Sequence, residues 1–246
     1  MSSLNNTLIK VYNNLFSFFE YRDLICLSDK LNDDDFVMYI YNNDFIVLNT
    51  IKSKYVPDGD IKNVKNNINN SKYDNSKTKY KITFIVLFYH STSVHLKTQD
   101  FKKIVGNLSN TNMLYDIIFI TKDDLNTHIG NFIKDTNGKA FDQKVECLYE
   151  HEERFCNCNK LNLYTYTYNN FIIIIPNHIL VPKYNVLDKE EEIDLLNTIN
   201  IKKINLPKIK RSDPMVIWSK AIAGNIIKVY RTDDVAGNSI YYRIVV

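Results

Sequence analysis

The sequence predicts a two-domain protein of mixed class: an α/β domain with a central sheet over residues 1–175, then a small α+β domain with a β-hairpin over residues 176–246. Three observations predict it. Between Ile82 and Ile133 two apolar β-rich runs are each followed by a helical pattern, as in adjacent parallel strands joined by a crossover. Pro176 and Pro182 punctuate the chain around His178. Beyond them come two capped helix starts and two aliphatic β runs. A length of 246 residues admits one domain or two. The 45% hydrophobic content supplies a core and excludes a wholly disordered chain, and a net charge of +3 excludes a polybasic DNA coat.

The elements follow in order. Leu8, Val11, Tyr12, Leu15, Phe16 and Phe19 recur at three- and four-residue steps and predict an amphipathic helix ending near Tyr21. Asp33 to Asp35 interrupt it. Phe36 to Leu48, rich in Tyr, Phe, Val and Ile with Asn42-Asn43 in its middle, predicts a hairpin. Residues 52–80 form an Asn/Lys-rich insertion with too few apolar residues to bury. From Lys52 to Lys81 eight Lys face three Asp, a net +5. That charge suits either nucleic acid or a solvated loop, and the absence of an Arg or aromatic stacking pattern favours the loop.

Ile82 to Tyr89 reads as a buried strand, Lys97 to Leu108 as a helix, Asp116 to Thr121 as a second strand, and Asp123 to Ile133 as a helix with an acidic first turn. Asn137-Gly138 marks a turn. Tyr164 to Tyr168 alternates with Thr as an exposed strand does, and Phe171 to Ile175 reads as a short buried one. Asp188 ahead of Glu190, Glu191 and Glu192 is a helix N-cap. Asp213-Pro214 starts a second helix, expected to run to about Ala223 and stop at Gly224. Ile226 to Arg231 and Ile240 to Val246 read as an antiparallel pair joined by a polar loop.

Several function classes fall away. No apolar window is long enough to span a membrane, and the first residues lack the basic and apolar regions of a signal peptide. Four cysteines in a chain of this size do not suggest a disulfide framework, so a soluble, unsecreted protein in a reducing compartment is expected. No Asp-x-Asp-x-Asp cluster is present to hold two Mg²⁺ ions, and Asp116 has no Glu-x-Lys pair on a following strand, which disfavours a nuclease. His90, His95 and His128 lack a Ser or Cys partner pattern. No catalytic residue and no cofactor is assigned. Cys147, His151, Cys156 and Cys158 are all of zinc-ligating type, but C-x3-H-x4-C-x-C is not a standard finger and Cys-x-Cys is tight for one tetrahedral site. They stand as metal candidates against free thiols in a loop. His151-Glu152-Glu153-Arg154 lacks the second His of a metalloprotease helix.

One ordered set of strings carries a resemblance: His178-Ile179-Leu180-Val181-Pro182-Lys183-Tyr184, the acidic helix start, Leu206-Pro207-Lys208-Ile209, Ser212-Asp213-Pro214, Gly224-Asn225-Ile226-Ile227-Lys228-Val229, Arg231, Ala236-Gly237 and Tyr241-Tyr242-Arg243-Ile244-Val245-Val246. Over Asn177 to Val246 the chain resembles the fifth subunit shared by the three eukaryotic nuclear RNA polymerases, whose C-terminal domain corresponds to a small subunit of the archaeal polymerase. The order of elements before it resembles, more faintly, the family's jaw domain.

The resemblance implies a non-catalytic subunit of a DNA-directed RNA polymerase. Its C-terminal assembly domain would dock on the largest subunit, and its N-terminal jaw domain would sit beside downstream DNA and contact it non-specifically. His178, Pro182, Pro207, Asp213, Pro214, Gly224, Lys228, Arg231, Gly237, Tyr242 and Arg243 are the implied partner-binding residues. Arg231 and Arg243 suit charge pairs across an interface, or are surface charges on an exposed strand. Val245 and Val246, with no polar tail, imply an edge buried against the core or a partner. Where the family carries a Thr-Pro-Ser-Ala turn near DNA this chain has Thr121-Lys122-Asp123-Asp124, leaving Lys122 as the phosphate contact. Ile217, Ile222 and Ala223 replace charges of the family, which implies a partner surface turned apolar. That divergence from the family pattern, with a bias of 32 Asn and only five Arg, suggests a polymerase of a large cytoplasmic DNA virus, hence virion and host cytoplasm, and otherwise of a divergent AT-rich protist, hence the nucleus. The alternative outside this family is a free-standing nucleic-acid-binding protein, against which the modest charge argues.

Overall fold

A computed structural model describes residues 2–53, 81–88, 98–109, 114–139, 161–233 and 237–246. The chain divides into two compact units, Met1–Ile172 and Ile173–Val246. Most of the 52–80 insertion, His90, His95 and the Cys147/His151/Cys156/Cys158 cluster lie outside the described residues.

The N-terminal unit opens with helix α1 (Ser2–Tyr21). Leu8, Val11, Tyr12, Leu15, Phe18 and Phe19 are all buried, so the stripe follows the expected period with Phe18, rather than Phe16, completing it. Asp23, in the left-handed region at φ 53°, turns the chain into strand β1 (Leu24–Cys26). Helix α2 (Asp33–Asn42) follows and corrects the expected hairpin. Asn32 caps it by accepting a hydrogen bond from the Asp35 N–H at 2.8 Å, and three aspartates in the first turn oppose the positive end of the helix dipole. Phe36 and Ile40, four apart, are its buried pair, with the Phe36 ring stacked on Tyr12 at 4.1 Å. Strand β2 (Phe45–Lys52) is the only part of that segment that is extended.

Strand β3 (Lys81–Phe88) pairs antiparallel with β2, and strands β4 (Leu114–Thr121) and β5 (Leu161–Thr167) add in parallel, giving one sheet in the order β1-β2-β3-β4-β5. Helix α3 (Thr98–Ser109) supplies the crossover that parallel β3 and β4 require, as the sequence predicts. Helix α4 (Thr127–Lys139) starts later than the predicted Asp123 because Asn126, not an aspartate, caps it, accepting from the Ile129 N–H at 2.9 Å. Phe84 and Val86 of β3, Ile117 and Phe119 of β4 and Leu163 of β5 share a face and pack on Phe101, Val105 and Ile129 of α3 and α4. The opposite residues of β3 and β4, such as Ile85 and Ile118, are buried too, which explains the near-continuous apolar runs. Phe171 to Ile175 is not a strand: Phe171 is buried, but Ile173 is 59% exposed and the chain turns through 3₁₀ segments at Tyr168–Asn170 and Ile175–Asn177.

The C-terminal unit is a four-stranded sheet with a helix on each face. Strands β6 (Lys183–Val186), β7 (Lys208–Ile209), β8 (Ile226–Asp233) and β9 (Gly237–Val245) lie in the order β6-β8-β9-β7. The β8–β9 pair is antiparallel, as the sequence predicts, and β7 joins β9 in parallel. Helix α5 (Lys189–Ile199) brings Leu195 and Leu196 to a cluster of Leu187, Leu206 and Ile226. Helix α6 (Pro214–Ser219) sets Val216 among Ile209, Ile227, Val229 and Val245. It ends four residues before the expected Ala223, because Lys220 adopts a left-handed cap (φ 59°, ψ 23°) whose N–H satisfies the last carbonyls.

Candidate partner-binding surface

The residues implied in partner binding fall on strand edges, caps and turns of the C-terminal unit. His178 follows the 3₁₀ turn Ile175–Asn177 and fixes the next turn. Its carbonyl accepts from the Val181 N–H at 2.9 Å and its Nδ1 from the Leu180 N–H at 3.2 Å. That turn presents Ile179 and Leu180, which are 94% and 82% exposed. Pro182 leads into β6. Asp213 is a cap: its carboxylate accepts from the Met215 N–H at 2.9 Å, and Pro214 occupies the first helical position, where no N–H is needed. Gly224 has open space around it, so its φ of +89°, rather than crowding, calls for glycine. Gly237, at φ 71°, enters β9.

Lys228, Arg231, Tyr242 and Arg243 alternate across the hairpin. Arg231 and Arg243 share the face of α6 and are exposed. Burial pushes the Tyr184 phenol up, with Asp213 adding to the effect and Arg243 opposing it, which puts both charges within electrostatic reach of that ring. On the other face the Lys228 ammonium lies 5.0 Å from the Tyr230 ring centre, and a hydrogen bond to Tyr230 raises its pKa. Tyr242 is half-buried against Ile226 and Leu187. Val245 is buried, whereas Val246 remains 48% exposed. Of the positions read as an apolar partner surface, Ile222 is 53% exposed, but Ile217 is buried. Ile217 is therefore not an exposed position, and that part of the expectation is corrected.

The sequence reading missed Glu192. It looked like one of three first-turn acids, yet it is 5% exposed, accepting from the Lys203 ammonium at 2.6 Å and from the Ile226 N–H at 3.1 Å. One carboxylate thus ties α5 to the 3₁₀ turn Lys203–Asn205 and to the start of β8. Its position in the first turn after the cap and one turn before Leu195-Leu196 was the available signal.

In the N-terminal unit Lys122 is exposed in the β4–α4 turn, where the Thr121 hydroxyl donates to the Asp123 carbonyl at 2.7 Å. Asp123 and Asp124 beside it are exposed as well, so the turn is locally acidic. Asp116 is 1% exposed and accepts from the Asn162 amide at 2.8 Å. It also lies in the field of Arg22, a buried guanidinium 4.2 Å over the Phe18 ring and hydrogen-bonded to Tyr166. Asp116 thereby belongs to an internal polar network. Among the described residues no helix is long and apolar enough to cross a membrane.

The C-terminal unit is thus a small α+β fold of a four-stranded sheet and two α-helices. Comparison with known proteins identifies its family. Residues 173–245 match the family model RNA polymerase Rpb5, C-terminal domain. The DNA-directed RNA polymerase subunit Rpo5 of Archaeoglobus fulgidus is 46% identical over 72 residues, 29% of this chain and 95% of that protein. Its counterpart in Methanocaldococcus jannaschii is 42% identical over 72 residues, 29% of this chain and 92% of that protein. The DNA-directed RNA polymerases I, II, and III subunit rpabc1 of Dictyostelium discoideum is 33% identical over 87 residues, 35% of this chain and 44% of that protein. The chain belongs to the RNA polymerase Rpb5 family.

Proposed function

We propose that this chain is a non-catalytic subunit of a multi-subunit DNA-directed RNA polymerase, anchored on the largest subunit by its C-terminal unit. The observation that carries the reading is the match of residues 173–245, which spans almost all of that unit and nearly the whole length of the archaeal relative. In this reading residues 176–246 are the assembly domain. Residues 1–175 form part of the lower jaw, with Lys122 the side chain nearest the phosphates of downstream DNA. Such contacts are non-specific and weaken as salt rises. The departures from the family pattern at Ile222 and Ala223, together with the Asn-rich, Arg-poor composition, favour a viral polymerase over a cellular one in this reading.

The test is recovery of partners from the native expression host by tagged full-length protein and by residues 177–246 alone. Both are expected to recover the two large polymerase subunits at fixed stoichiometry. If neither does, the docking role is wrong and free-standing nucleic-acid binding by the N-terminal unit becomes the reading to measure.

A further inference from the structure

One side of β9 is covered for only two residues. Strand β7 pairs with Ile244 and Val245 and no further. The Ile244 N–H donates to the Pro207 carbonyl at 2.8 Å and the Val246 N–H to the Ile209 carbonyl at 2.9 Å, both toward β7. The Val245 N–H turns the other way, to the Asn225 carbonyl at 3.0 Å. Backbone groups alternate sides along a strand, so Tyr242 and Ile240 aim their N–H and C=O groups outward on the same side as Ile244. Among the described residues, no strand pairs with them there.

The chain cannot extend β7 to fill this edge. The next donor in the parallel ladder would be the N–H of residue 207, and Pro207 has none. The residues before it form the 3₁₀ turn Lys203–Asn205 instead. Open edges are commonly blunted by charge or by extreme shortness. This one carries Ile240 and Tyr241, each 49% exposed. Arg243 of β9 and Arg231 of the neighbouring β8 lie on one face of the sheet, and Lys228 of β8 lies on the other.

We propose that an extended, acidic segment of the largest polymerase subunit adds as a strand to the outer edge of β9, upstream of β7. This rests on the docking role proposed above and specifies its mode. Main-chain hydrogen bonds to Ile240 and Tyr242 hold the segment, Ile240 and Tyr241 pack against its side chains, and the basic residues select its carboxylates.

The test co-expresses the full chain with the two large polymerase subunits of its own source. In the Ile240→Pro chain the ring removes an outward N–H and leaves the β8–β9 hydrogen bonds in place. It is expected to keep the wild-type circular dichroism and thermal transition while its recovery of the large subunits falls by about tenfold or more, the effect of losing roughly 1.4 kcal/mol of binding. Hydrogen-exchange mass spectrometry of peptides across residues 237–243 is the second readout, and it decides alone if that variant misfolds. Alternate amides there are expected to exchange fast in the free chain and to become protected in the complex. Unchanged exchange in a complex that does form overturns strand addition while leaving the docking role intact. Failure of the wild-type chain to recover the large subunits overturns both. Undiminished recovery by a chain carrying Arg231→Glu and Arg243→Glu overturns the acidic character of the segment.

Discussion

Glu192 stands where one residue connects three elements, and its loss should be felt beyond its own helix. Glu192→Ala leaves the Ile226 N–H without its acceptor and Lys203 without its partner. The expected loss is about 2 kcal/mol in chemical denaturation, with Glu192→Gln recovering part of it. A second residue-scale effect is pH dependence in the N-terminal unit. Burial, with Asp123 adding, raises the Tyr168 phenol well above its ordinary pKa of 10.0, and burial raises Tyr12 too. The folded chain therefore keeps a proton that the unfolded chain releases near pH 10. This contribution to stability is fully present below pH 10 and falls as pH rises past it. Denaturation at pH 9 and pH 11 should show that fall, and Tyr168→Phe should lessen it. Glu192 escaped the sequence because a first-turn glutamate usually faces water, and only packing against β8 turns this one inward.

The two helix starts of the C-terminal unit, at Asp188 and Asp213, were legible because a cap is local chemistry. The sequence shows the Asp188 cap, and the structure completes it as a capping box: Asp188 accepts from the Glu190 and Glu191 N–H groups at 2.9 Å while Glu191 accepts from the Asp188 N–H at 3.0 Å. The segment Phe36 to Leu48 has the composition of a hairpin but begins as helix. Tyr, Phe, Val and Ile favour strands, but Asn32 and the three following aspartates nucleate α2, and the Tyr12–Phe36 stack rewards it. Asn32→Ala should cost about 1 kcal/mol and lower the thermal transition accordingly, while Asn32→Asp should cost less. The end of α6 departs from the expected glycine for the converse reason. Glycine marks common helix ends, yet Lys220 takes the left-handed conformation four residues earlier.

At the scale of the whole molecule, the C-terminal unit owns two apolar clusters, one on each face of its sheet. Residues 173–246 expressed alone should therefore unfold cooperatively, with near-ultraviolet and far-ultraviolet dichroism changing together. Non-coincident transitions would mean that the unit needs the rest of the chain. The mixed class, the β3–α3–β4 crossover, the terminal hairpin and the family are legible in the residues, because period, caps and ordered motifs are written in neighbouring positions. The sequence also names the arginines and glycines of the candidate surface. Which of those features face outward is settled by packing. Ile217 and Glu192 are both buried, Glu192 against the start of β8, and the open edge of β9 exists because Pro207, some thirty-five residues upstream of Tyr242, can pair no further. Burial and strand-edge pairing depend on contacts between residues far apart in the chain, and a local pattern does not encode them.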